Sequence, residues 1–145
     1  MTTAVEDLPT QVETTLAEEG WTKLQYGSTG ALNTVVEMER ESESGGTGRF
    51  IIQSRTTSIA PEQIREERIT SLEIDSSTKD VSDVGTREFG AEPAFGLQYF
   101  NTDNERTTQS WYTRSGDQLL TITVDYPGEG DIPSDITAAL DAVTL

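Results

Sequence analysis

The segment PAFGLQYFNTDNERTTQSWYTRSGDQLLTITVDY, Pro93 to Tyr126, decides the fold. It holds three runs of strand-like alternation separated by turn-prone residues, together with most of the aromatic rings of the chain. Side chains two apart on a strand share a face, so Phe95, Leu97 and Tyr99 point one way. Trp111 and Tyr112 are neighbours and point opposite ways. In the third run Leu120, Ile122, Val124 and Tyr126 oppose Leu119, Thr121, Thr123 and Asp125. The segment reads as the centre of an antiparallel sheet.

Working outward from it, Val81 to Phe89 has few apolar positions and reads as an edge strand. Pro61 opens a helix over about 61–73 with Ile64, Ile69 and Leu72 as its buried side. Three further strands are expected at Trp21–Tyr26, Ala31–Glu39 and Arg49–Thr57, the last two joined by ESESGGTG, Glu41–Gly48, as a flexible hairpin connection. Val5, Leu8, Val12 and Leu16 at helical spacing, with Gly20 as terminator, place an N-terminal helix at about 9–19. Ile136, Ala139, Leu140 and Val143 form the stripe of a last helix at about 133–143. The expected object is one α+β domain spanning 1–145, an antiparallel sheet with helices packed on it.

The 145 residues contain no cysteine and no histidine. Thiolate metal sites, cysteine nucleophiles, the usual partner of a nucleophilic serine and the commonest neutral-pH base are all absent. With 26 acidic against 10 basic residues the net charge is −16, and Lys23 and Lys79 are the only lysines. Such a surface repels nucleic acid and anionic membranes. Low lysine, high Asp/Glu and abundant threonine resemble the composition of halophilic archaeal proteins, whose acidic surfaces tolerate salt that screens repulsion over about 3 Å; an acidic protein of an ordinary cell is the alternative. No run approaches the ~18 apolar residues of a membrane span, and MTTAVEDLPT has no signal-peptide character, so a cytoplasmic location is expected.

The strand Phe50-Ile-Ile-Gln-Ser-Arg running into the Pro61–Glu73 helix, the Pro93-Ala-Phe-Gly-Leu-Gln-Tyr strand, Gln109-Ser-Trp-Tyr before Gly116-Asp-Gln-Leu-Leu-Thr-Ile-Thr, and the ending Leu-Asp-Ala-Val-Thr-Leu follow one another in an order that resembles the PsbP-like superfamily. The resemblance covers about residues 20–145. It implies an α/β/α sandwich and a non-catalytic role in binding or complex assembly; that group also includes a nuclear-import accessory protein that binds the Ran GTPase and several bacterial lipoprotein families.

No catalytic site, metal site or cofactor is expected. Asn101-Thr-Asp-Asn-Glu-Arg106 starts like a calcium loop but has Arg106 where glycine is needed. GGTG at 45–48 and PGEGD at 127–131 lack the Lys-Ser/Thr of a phosphate loop and read as turns. Close acidic pairs such as Glu66–Glu67 and Asp80–Asp83 are what 26 acids produce by chance. The candidate binding residues are aromatic: Trp111, Tyr112, Tyr99 and Trp21, with whichever of Trp111 and Tyr112 faces away from the helices lying in a binding surface. The expected partner is another protein. The alternative is a small apolar ligand carried between helix and sheet, and a carboxylate- or metal-dependent hydrolase stands third.

Overall fold

A computed structural model describes residues 8–28, 33–90 and 92–145. Three helices, α1 (Leu8–Glu18), α2 (Pro61–Glu73) and α3 (Ser134–Ala142), accompany seven strands: β1 (Thr22–Ser28), β2 (Asn33–Glu41), β3 (Thr47–Thr56), β4 (Thr78–Glu88), β5 (Pro93–Asn101), β6 (Arg106–Ser115) and β7 (Gln118–Pro127). All seven join one sheet in the order β1-β2-β3-β7-β6-β5-β4, every pair antiparallel. Two meanders, β1–β3 and β4–β7, therefore meet at β3 and β7, and α2 carries the chain from the middle of the sheet to its far edge.

The crossover settles which side each helix covers. Val12 and Leu16 of α1 and Ile136, Ala139 and Leu140 of α3 pack with Val36, Met38, Phe50, Ile52, Trp111, Leu120, Ile122 and Val124 on one face. Leu72 of α2 packs with Leu97, Tyr112 and Leu119 on the other. α2 lies mainly over β4, β5 and β6. On its face the β3–β7 side stays open: Gln53 and Arg55 are exposed, and Ile51, Thr121 and Thr123 are half-buried. A sheet with one face sealed and the other partly wet is the ordinary antiparallel pattern.

Pro61 does open α2, and β4 is an edge strand as its sparse apolar content implies. Register irregularities and the positive φ of Asp80 and Gly85 (57° and 86°) blunt that edge. Two expectations are refined and one is corrected. Ile64 and Ile69, half-buried, pack with Leu72 on the core side of α2, and Pro61 and Arg65 are buried as well, Arg65 turning inward to Asp83 (3.0 Å) and the ring of Phe95. The last helix stops at Ala142; Val143 is extended but still buried.

The Glu41–Gly48 connection is also docked rather than loose. The Ser42 hydroxyl donates to Asp135 Oδ1 (2.8 Å), the Glu43 amide to Oδ2 (2.8 Å) and the Gly46 amide to the Tyr126 hydroxyl (3.0 Å). A Cβ at Gly46 would stand 2.7 Å from the Tyr126 ring, and one at Gly48 2.7 Å from Ile136, so only glycine allows this approach. The Glu43 amide and the Ser42 hydroxyl hold the Asp135 carboxyl below its ordinary range, in the first turn of α3 where negative charge is favoured.

Candidate binding groove

The turn after α1 builds the site. Gly20 takes φ 91°, which a side chain would resist, and the Trp21 amide donates to the Leu16 carbonyl (3.0 Å) while the Gly20 amide donates to that of Ala17 (3.2 Å). This is a Schellman closure, which folds the residue after the glycine back onto the helix. Trp21 is thereby driven into the core, with 3% of its surface accessible and its ring edge-on to Phe50 at 4.6 Å and 86°. Its indole Nε1 is buried without a hydrogen-bond partner. An unspent buried donor costs about 1–3 kcal/mol, so it marks either strain or a ligand's place.

Beside that ring lies a groove of about 420 Å³ between α1 and β1–β2. Trp21 and Met38 form its apolar floor, Ala17 and Thr14 its helical wall, and Glu18 part of its rim. Lys23, across the ladder from Met38, reaches Glu13 on α1 at 3.1 Å and ties the two walls together. Glu13, Thr14, Glu18 and Lys23 are the polar part of its lining. Two smaller, more polar hollows exist, of about 240 Å³ around Thr22, Glu39 and Arg40 and about 250 Å³ around Thr113, Arg114 and Leu145.

The four aromatic candidates do not share one place. Trp21 lines the groove. Trp111 lies on the α1/α3 face at 5% exposure, its Nε1 donating to Gln109 Oε1 (2.7 Å). Tyr112 lies on the α2 face at 7% exposure, with Tyr99 half-buried on the same side. Neither Trp111 nor Tyr112 faces away from the helices, because α2 crosses to the side that α1 and α3 leave open; the expectation of an exposed ring at one of them is corrected. Burial raises the Tyr112 hydroxyl above its ordinary value, against the lowering effects of Arg68, of a hydrogen bond with Ser110 and of Arg55.

The acidic pairs and turns serve as structure. Asp125 is buried and joins Arg106 Nε (2.5 Å) and Arg49 Nε (3.2 Å). In the 101–106 turn, Asn101 Oδ1 accepts the Asp103 amide (2.8 Å), so a would-be ligand oxygen is spent inside the loop. Among the described residues no group of three or more Asp or Glu side chains is placed to hold a metal. No described helix is long and apolar enough to cross a membrane.

No family model matches the chain, and no curated protein matches it. The crystal structure of LpqN, involved in cell envelope biogenesis of Mycobacterium tuberculosis, is similar with a TM-score of 0.45 and 12% identity, over 85% of this chain and 86% of that one. At that level the likeness carries no argument.

Proposed function

We infer that the chain is a non-catalytic binding module, of the layered PsbP-like type, that carries a small apolar ligand between helix α1 and the sheet in a salt-rich cytoplasm. The observation that supports this reading is the groove: about 420 Å³, floored by Trp21 and Met38. Its volume falls in the range of small-molecule pockets, which are mostly apolar with one or two polar groups to orient the ligand. An aromatic or aliphatic body bearing a carbonyl or hydroxyl oxygen would meet both demands. The charge of −16 supports the salt-rich setting.

A neutral apolar dye such as Nile red tests the reading in high salt. Ala17 is an exposed helical position on the groove wall, so Ala17→Phe should fill the groove while leaving stability within about 0.5 kcal/mol. Dye binding should fall at least about tenfold in Ala17→Phe, and also weaken in Trp21→Phe, which keeps the ring but removes the donor. Equal binding by wild type and Ala17→Phe sinks the reading.

A protein partner is the second reading, and β1 favours it. It is a sheet edge, and Leu24 on it is half exposed at 51%. Such edges accept an added strand. A partner retained from lysate by the wild type and lost with Leu24→Asp would move this reading to the front.

A further inference from the structure

Two exposed arginines, Arg55 and Arg68, border the open half of the α2 face, which also carries Glu37 and Glu39 across from Ile51 and Arg49. Arg55 stands on β3 directly across from Leu119 of β7, and Arg68 lies on α2 between Ile64 and Leu72, one turn from each. Ile64, Leu72, Leu119 and Tyr112 belong to one apolar cluster, and the Tyr112 hydroxyl feels the charge of both arginines, one carried by the sheet and one by the helix. Beside Tyr112 the floor is hydroxyl-bearing. Thr121 is the cross-strand partner of both Tyr112 and Gln53, and the Ser110 and Thr123 hydroxyls meet at 3.1 Å.

Both side chains are exposed, and among the described residues neither has an ion pair or a hydrogen bond. In a chain with 26 acids that is a placement to be explained. No acid of α2 sits three or four residues from Arg68, where Ile64, Arg65, Ser71 and Leu72 stand instead. The cross-strand neighbours of Arg55 are Asn33 and Leu119. Asp75, whose carboxyl feels the Arg68 charge, is already bonded to the Ser77 amide (2.9 Å) and hydroxyl (2.6 Å).

We propose that the shelf formed by Arg55, Arg68 and the hydroxyl-bearing floor beside Tyr112 binds a phosphate-class oxyanion, the phosphate group of a small metabolite. A carboxylate has two oxygens and is satisfied by a single guanidinium fork. A phosphate has more acceptor oxygens than one fork can take, and it suits two guanidiniums together with hydroxyl donors. Salt that screens the remote carboxylates over about 3 Å leaves these short contacts in place, so the net charge does not forbid the site. The site is separate from the groove, and either can fail alone.

Inorganic phosphate is the probe, titrated into the full chain in concentrated potassium chloride with phosphorus NMR or calorimetry as readout. Arg55→Gln and Arg68→Gln should each weaken binding about tenfold or more, and the double variant should abolish it. Arg40→Gln, on the opposite face, should bind as the wild type does. Acetate should bind at least about tenfold more weakly than phosphate. A wild type that takes up no phosphate, a double variant that binds normally, or acetate that competes on equal terms would each overturn the proposal. Both positions are surface-exposed, so the variants should unfold at the wild-type denaturant midpoint.

Discussion

The two faces of β7 are built from the same ten residues and do different work. On one, Leu120, Ile122 and Val124 are fully buried beneath α1 and α3, the helices from the two ends of the chain. On the other, Thr121 and Thr123 stay half-buried, flanked by Leu119 under α2 and by the Arg49–Asp125–Arg106 cluster. Stability is concentrated where both terminal helices seal the sheet. Among the described residues, exposed arginines without an ion pair, Arg55 and Arg68, sit where a single crossing helix leaves half a face uncovered.

Replacing Ile122 and Thr123 in turn by alanine puts the largest expected gap between the faces. Ile122→Ala should lower the unfolding free energy by about 2–5 kcal/mol, since it empties a fully enclosed site. Thr123→Ala removes a half-buried methyl and one hydroxyl contact with Ser110, and should cost about 1 kcal/mol or less. Denaturant titration of the two variants reads the difference directly, and equal costs would erase the distinction between the faces.

A smaller effect probes how tightly the sealed side is packed. Gly96 faces Trp111 across the ladder, and a Cβ there would lie 2.5 Å from the indole. Gly96→Ala should therefore destabilise by about 1–3 kcal/mol through overpacking, with Trp111 fluorescence shifted. A neutral substitution would show room on that side.

The smallest effect is electrostatic and belongs to the half-open face. The Tyr112 hydroxyl titrates higher in the folded protein than its ordinary value of 10.0, chiefly because it is buried. A raised folded value stabilises fully below the unfolded one and is lost as pH climbs through and above 10. Urea midpoints should fall as pH rises through and above 10 more steeply in the wild type than in Tyr112→Phe. Parallel slopes would place that hydroxyl in water instead.

Much of the architecture was legible because it is local. Pro61 fixed the start of α2, Gly20 the end of α1, and alternation put Trp111 and Tyr112 on opposite faces. Helix placement was not legible, because it depends on the β3–α2–β4 crossover, a long-range fact. That single fact decided that both rings are buried. The docking of Glu41–Gly48 was hidden for a similar reason: Asp135 and Tyr126 are some 80 to 93 residues away in sequence. Of the four aromatic candidates only Trp21 lines the groove, and its companions Ala17 and Met38 carry no functional mark in a sequence. Arg55 and Arg68 were visible as charges, yet their lack of partners emerges only once strand register is known.

The join between β3 and β7 also bears on how the protein is made. Arg49 meets Asp125, 76 residues later, so the first meander emerges from the ribosome with the inner edge of β3 unsatisfied until nearly the whole chain has followed. During that interval Phe50-Ile-Ile is an exposed apolar strand, the kind of segment that pairs with a neighbouring nascent chain. The acids around it, Glu37, Glu39, Glu41 and Glu43, would then act as guards that keep unfinished copies apart during synthesis.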